Sequence, residues 1–294
     1  MNESLRPAFS AEDILANPRF AEARAAYMQE ILGMHENRTS LNRVLMDEGR
    51  AFVFFTVITM NACYRPEDRS TWPTVQRLKD LIEENGISSG RRVHDIVQRL
   101  GETGYIHFFS APTDKRVTLL EPTEKMLAHD QKALIAYYRP LDVMFPDPGY
   151  PEPLQRNLAF QRVARQIGFS LIKYSYEFIK ANAPVAHFLP REAGFMILTK
   201  LMQLSLEQGP EQGIDGPVDI SLTELGDRFG VSRSHVRKLL SEAETLGLAR
   251  LVKGRAALTE AARSGFNRFL ADTMVGNDMV YRQAMQLLRT SAAA

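Results

Sequence analysis

Ile220-Ser221-Leu222-Thr223-Glu224-Leu225-Gly226-Asp227-Arg228-Phe229-Gly230-Val231-Ser232-Arg233-Ser234-His235-Val236-Arg237-Lys238-Leu239-Leu240 spells two short helices joined by a tight turn. Ser221 with Glu224 three residues on is a capping-box spacing, in which the two side chains satisfy otherwise unpaired amides of a first turn. Leu222, Leu225 and Phe229 give that helix one apolar side. Gly230 permits a sharp turn, Val231 plugs the space between the helices, and Ser232 caps the helix that follows. In that second helix Val236, Leu239, Leu240 and Ala243 recur at i, i+3, i+4 and i+7, which is a core stripe. Arg233, Ser234, His235, Arg237 and Lys238 are then turned outward near the N-terminus, where a recognition helix meets a major groove. The grammar is that of a helix-turn-helix.

Downstream, Leu246-Gly247 ends the helix. Residues 248–252 and 256–258 flank the basic tip Lys253-Gly254-Arg255 as a short two-stranded wing. Between positions 231 and 258 six basic residues stand against two acidic ones, a local charge of +4 in a chain whose formal net charge is only +1. If nucleic acid is the partner, the positive charge has to be gathered locally in this way.

The same pattern occurs upstream. Trp72-Pro73-Thr74 leads into a helix with Leu78, Leu81 and Ile82 inward, and Asn85-Gly86-Ile87-Ser88 reads as turn and cap. Val93, Ile96, Val97 and Leu100 then repeat the i, i+3, i+4, i+7 stripe, leaving Arg91, Arg92, His94, Asp95 and Arg99 outside. Residues 105–110 and 117–120 read as strands around a longer tip that carries Asp114, Lys115 and Arg116. Five basic residues and three acidic ones between 88 and 118 make this copy the weaker electrostatic binder, at +2.

Residues 41–140 resemble the MarR-type winged-helix regulators. The resemblance is carried by Gly101-Glu102-Thr103-Gly104-Tyr105-Ile106, by the wing-tip Asp114-Lys115-Arg116, and by Leu120-Glu121-Pro122-Thr123-Glu124-Lys125 leading into a further helix. It implies that Arg116 enters a minor groove or holds backbone phosphate. Residues 191–275 resemble the same fold less specifically, because the wing is short and lacks the aspartate. Together the two regions cover roughly two thirds of the chain. Family members usually carry one module and dimerise, and two modules in one chain depart from that pattern.

The remaining sequence fits around these units. With 294 residues, two domains are the expectation. The proline-rich run at 146–153 divides residues 1–145, the N-terminal helices with the first winged helix, from residues 154–294, a long helix with the second. Helices are expected over 11–36, 40–63, 154–181 and 191–207, with a Gly/Pro-rich loop over 209–217. The fold class is mainly α: tandem winged helix-turn-helix domains with short β-wings and long connecting helices.

Cys63 is the single cysteine, which excludes an internal disulfide and a cysteine-rich zinc site. It reads as a core residue and fits a reducing, cytoplasmic compartment. The N-terminus lacks signal-peptide order and the longest apolar stretch, 51–63, is too short and polar for a membrane span, so no membrane role is expected. Ser170-Leu171-Ile172-Lys173 matches a Ser-x-x-Lys nucleophile pattern but has no companion motif. His35, His107, His129 and His187 share no metal-ligand spacing. Neither an enzyme nor a cofactor or metal is expected.

The expected function is sequence-specific binding of double-stranded DNA by a transcription regulator. The candidate contacts are Arg91, Arg92, His94, Lys115 and Arg116 in the first unit, with Arg233, Ser234, His235, Arg237, Lys238, Lys253 and Arg255 in the second. His94 and His235 read as exposed side chains without proton chemistry. A plasmid replication initiator and a winged-helix protein-interaction scaffold are the alternatives. A homodimer stays open. A small apolar effector among Phe52, Phe54, Phe55, Tyr137, Tyr138, Tyr174, Tyr176 and Phe178 also stays open, ordinary helix packing being the plainer reading of those aromatics.

Overall fold

The computed structural model describes residues 7–38, 42, 44–208 and 213–293, with residues 172–177 and 292–293 described by their backbone only. In chain order they form α1 (Ala11–Ala16), α2 (Phe20–His35), α3 (Glu48–Ala62), α4 (Val75–Glu84), α5 (Gly90–Glu102), β1 (Ile106–Ser110), β2 (Thr118–Pro122), α6 (Glu124–Met144), α7 (Pro151–Leu154) and α8 (Leu158–Ala181). There follow α9 (Ala183–Phe188), α10 (Gly194–Glu207), α11 (Leu222–Phe229), α12 (Arg233–Thr245), β3 (Ala249–Val252), β4 (Arg255–Leu258) and α13 (Glu260–Ala293). The chain is mainly α, with two small antiparallel strand pairs, β1 with β2 and β3 with β4. No helix among the described residues is long and apolar enough to cross a membrane.

Local chemistry sets the helix ends, and at four places it moves them from where periodicity alone puts them. The expected helix over 11–36 is two helices, because Asn17 precedes Pro18 and takes an extended conformation (φ −67°, ψ 130°) that α-helix cannot use. Of the helix expected over 40–63, α3 begins only at Glu48, where Asp47 accepts the Arg50 amide at 2.9 Å; residues 40, 41 and 43 lie outside the described residues. Asn157 caps α8 through the Phe160 amide at 3.0 Å, so Leu154 belongs to the separate α7. The helix expected from Arg191 starts at Gly194, after Ala193 in the left-handed region (φ 56°). A Cβ on Gly194 would lie 2.0 Å from the Phe188 carbonyl oxygen, so only glycine fits that crossing. Part of the loop expected over 209–217 falls outside the described residues, and Cys63, expected in the core, is half-buried at the end of α3.

Two main apolar cores result, beside a small cluster of Trp72, Ala111 and Leu119. The smaller joins Val53, Phe54 and Val57 of α3 to Leu78 and Ile82 of α4, Val93 and Val97 of α5, and Leu120 of β2. The larger joins Ile14 of α1, Tyr27 of α2, Tyr138 of α6, Phe160 of α8, Leu198 of α10, Leu239 of α12 and Phe266 of α13. Residues 146–153, expected as a proline-rich linker, lie against the larger core. That stretch is not a free linker, because Tyr150 is buried in the larger core and its hydroxyl donates to Asp278 Oδ1 at 2.8 Å. Tyr281, also of α13, hydrogen-bonds Glu152. The N-terminal helices are likewise part of the larger core, α2 against α6 and α1 against α13, with Arg268 bridging to Glu12 at 2.7 Å.

Between the cores lie His35 and His129, ring centroids 6.2 Å apart. Burial holds the His129 imidazole down to about 4, with His35 and Lys132 adding to the shift and Asp130 opposing it. Burial also lowers His35, against the hydrogen bond from its ring to Asn42. An unfolded chain takes up these protons near pH 6.5 while the folded one refuses them until lower pH. The contribution to stability is thus complete above about pH 6.5 and lost as pH falls toward 4. We expect the melting temperature to drop across that window, and His129→Leu to flatten the slope there while leaving the profile above pH 7 parallel to that of the parent protein. An identical slope in both proteins would refute this role for His129.

Candidate nucleic-acid interface

The downstream unit is built as its residues dictate. Ser221 and Glu224 form the reciprocal capping box of α11 (Glu224 amide to Ser221 Oγ 3.1 Å), and Gly230 closes that helix at φ 77°. The turn lies very close to α11. A Cβ on Gly226 would stand 2.5 Å from the Val231 carbonyl oxygen, so Gly226 sets the approach of the two helices, a constraint invisible to periodicity. Ser232 caps α12 through the His235 amide at 3.1 Å and shares a 2.8 Å hydrogen bond with the Ser234 hydroxyl. Val236, Leu239, Leu240 and Ala243 are buried, as the stripe requires.

On the opposite face Arg233, Arg237 and Lys238 are exposed and, among the described residues, none forms an ion pair; the Glu242 carboxyl is held below its usual range first by Arg191, with Lys238 adding to the effect. His235 is different. Its Nε2 lies 2.8 Å from the Glu192 carbonyl oxygen, so the ring turns back onto the segment before α10 instead of outward. β3 and β4 pair in register, Val252 opposite Arg255, around Lys253 and Gly254, both at positive φ. This is the two-residue hairpin geometry that follows strand twist. Lys253 is exposed at that tip, but Arg255 pairs with Asp219 at 2.7 Å and Arg250 donates to the Asp215 carbonyl oxygen. The local charge of +4 is offset in part by Asp219, just outside the stretch over which it was counted.

In the upstream unit Thr74 caps α4 and Ser89 caps α5, one residue beyond the Ser88 expected from sequence. Ser88 Oγ is buried instead. Val93, Ile96, Val97 and Leu100 are buried and Arg91 and His94 exposed. Arg92 does not reach outward freely, since its guanidinium pairs with Asp47 at 2.9 Å. Asp47 is held in turn by Arg50 Nε at 3.0 Å, and Arg50 Nη1 reaches Glu192 Oε1 at 3.2 Å. A single run of polar contacts therefore connects the first turn of α5 to Glu192, whose carbonyl takes His235 of α12. The first turns of the two outward-facing helices lie within a few side chains of each other.

The tip between β1 and β2 holds Lys115 and Arg116, both exposed, the Arg116 side chain to 91%. Arg116 grips Asp114 with two hydrogen bonds, Nε to Oδ1 at 3.1 Å and Nη2 to Oδ2 at 3.3 Å, and these contacts hold the Asp114 carboxyl below its usual range. Arg69 approaches the same carboxylate at 3.5 Å and lies over the Trp72 ring. It is a further basic group at this tip that no helical period marks. Among the described residues no cluster of His, Cys, Asp or Glu is arranged to hold a metal ion. Ser170 donates to the Ile167 carbonyl within its own helix at 2.7 Å, and the side chain of Lys173 lies outside the described residues.

Of the twelve residues singled out in the sequence, Arg91, His94, Lys115, Arg233, Ser234, Arg237, Lys238 and Lys253 face solvent in two groups; Arg116 is exposed but paired with Asp114, and Arg92, His235 and Arg255 are likewise engaged within the protein. No protein-family model, curated protein or solved structure matches the chain.

Proposed function

We propose that this chain is a cytoplasmic, sequence-specific DNA-binding transcription regulator that reads duplex DNA with two non-identical winged-helix modules, α4 to β2 and α11 to β4. The supporting observation is the division of α12 into two faces. Its apolar stripe is buried, while Arg233, Arg237 and Lys238 stand exposed at its N-terminal half without an ion pair among the described residues, a combination repeated more weakly by Arg91 on α5. Exposed cations without an ion pair cost the folded protein nothing by release to phosphate, whereas Arg92, Arg116 and Arg255 would first have to leave Asp47, Asp114 and Asp219. Phosphate contacts supply affinity and the outward side chains of α5 and α12 supply discrimination. Because the two faces differ, one chain prefers an asymmetric site, and a homodimer would present four modules to a longer palindrome.

Genome-wide occupancy followed by fluorescence anisotropy on the recovered fragments tests this. The expected result is enrichment at scattered promoters and an affinity that falls linearly with salt on logarithmic axes. Arg237→Ala and Arg116→Ala should each make that slope shallower by about one unit. Enrichment confined to one replication origin, no enrichment at all, or unchanged slopes in both variants would overturn the assignment.

A further inference from the structure

The upstream and downstream units are tied together at the first turns of their outward-facing helices. A Cβ on Gly49 of α3 would lie 3.8 Å from both Ser88 Cβ and Arg92 Cζ, so the start of α5 rests on the start of α3. Just before α3, the Met46 carbonyl accepts the Ala193 amide at 2.8 Å. The peptide that carries this amide also carries the Glu192 carbonyl, whose oxygen lies 2.8 Å from His235 Nε2 of α12. With consecutive Cα atoms ~3.8 Å apart, that route from Ser88 Cβ to His235 Nε2 is no longer than about 24 Å, and the direct separation is shorter.

The tie is braced on both sides. Arg191 Nη2 holds Glu242 of α12 at 2.9 Å, and His187 Nε2 lies 3.2 Å from the Leu239 carbonyl oxygen of the same helix. Asn42 Nδ2 donates to the Phe229 carbonyl oxygen at the end of α11 at 3.3 Å, and the Asn37 amide donates to the Arg228 carbonyl oxygen at 2.8 Å. On the upstream side Arg50 reaches Glu192 while Asp47 holds Arg92. Ala193, at the centre, keeps a left-handed conformation (φ 56°), which a residue other than glycine retains only where its surroundings over-determine it. Neither unit can turn against the other without breaking several of these contacts.

Helix-turn-helix dimers place their half-sites a full turn of duplex apart, about 34 Å or ten base pairs. The first turns of α5 and α12 fall short of that spacing. Resting on the DNA reading above, we propose that the two units read one uninterrupted duplex element of fixed spacing, as neighbouring readers along it and not as a pair of half-sites a turn apart. At ~3.4 Å per base pair their contacts are centred no more than about seven base pairs apart.

Selection of duplexes from a random library with the full chain reveals the element. Arg91→Ala and Arg237→Ala should each relax the preference at their own positions, and the two sets of positions should lie within about seven base pairs of each other. Inserting half a turn, or a full turn of about ten base pairs, between them should in either case weaken binding at least tenfold. Determinants a full turn apart, or a full-turn insertion that restores the parental affinity, would overturn the proposal. The tie itself is measurable without DNA. Gln98 of α5 and Ser241 of α12 are exposed, and nitroxide labels on Gln98→Cys and Ser241→Cys, in a Cys63→Ser background, should give a single narrow distance distribution by double electron–electron resonance. A broad distribution would also overturn the fixed spacing. A narrow distribution from a chain that enriches no duplex would instead overturn the DNA reading, and the proposed element with it, while leaving the tie between the units standing.

Discussion

Replacing Asp130 by asparagine is expected to lower the unfolding free energy by about 3–5 kcal/mol, the usual consequence of stranding one partner of a buried ion pair. Asp130 of α6 is completely buried, and Arg165 of α8 nearly so at 17% side-chain exposure. The guanidinium meets the carboxylate through two bonds, Nε to Oδ2 at 3.0 Å and Nη2 to Oδ1 at 2.5 Å, while Gln161 Nε2 adds a third at 2.8 Å. Burial by itself lowers the affinity of Arg165 for its proton, and the adjacent carboxylate more than offsets this. Asparagine keeps the shape and one acceptor but removes the charge, leaving a cation beside the Phe55 ring with no counter-charge.

The double variant Asp130→Leu with Arg165→Met removes both charges and should recover most of the loss, since apolar replacement of a whole buried pair is often neutral or better. Urea midpoints of the parent, the single and the double variant measure this. A single variant within about 1 kcal/mol of the parent would show that α6 and α8 do not depend on the pair.

The two short helix pairs, α4 with α5 and α11 with α12, are legible because their signals are local. Ser221 and Glu224 are three residues apart, and the stripe of α12 is complete within eight positions, so caps and core face agree before any tertiary structure forms. What periodicity states about a polar side chain is only its direction. It places Arg92, His235 and Arg255 outside their helix or hairpin, and says nothing of Asp47, Glu192 or Asp219 arriving from distant parts of the chain. The same limit explains the proline-rich stretch. Prolines correctly mark the end of α6, but the burial of Tyr150 depends on Asp278, 128 positions away. Close approaches such as Gly194 against Phe188 leave no mark in a hydrophobic pattern at all. Of the aromatic residues that the sequence offers for a pocket, Phe52, Phe54, Phe55 and Tyr137 line a cavity of about 380 Å³ between the two main cores, but its facing walls from α10 and α13 are not foreseeable from one segment. Tyr138 packs instead against Phe160 and Tyr281, and Tyr174 and Tyr176 have side chains outside the described residues.

Removing the exposed cations in pairs is expected to separate the two reading faces. Arg91→Ala with Arg116→Ala strips the upstream unit, and Arg237→Ala with Lys238→Ala strips the downstream one. If both units grip one duplex, each pair shortens the salt slope by about 1.8, at about 0.9 for each phosphate no longer neutralised, and all four together by about 3.6. The reductions in affinity should multiply, to roughly a thousandfold or more for the fourfold variant, because among the described residues the two groups share no ion-pair partner. The upstream pair carries an additional penalty. In Arg116→Ala, Asp114 stays ionised and its carboxylate loses the two guanidinium hydrogen bonds, keeping the amide of residue 116 at 3.2 Å and Arg69 at 3.5 Å to counter its repulsion of phosphate. Arg116→Ala should therefore weaken binding more than Lys115→Ala, although both residues are exposed at the same tip. Adding Asp114→Asn to Arg116→Ala should restore part of that difference. An upstream pair that leaves both slope and affinity unchanged would show that DNA meets the downstream unit alone and that the tandem arrangement serves another purpose.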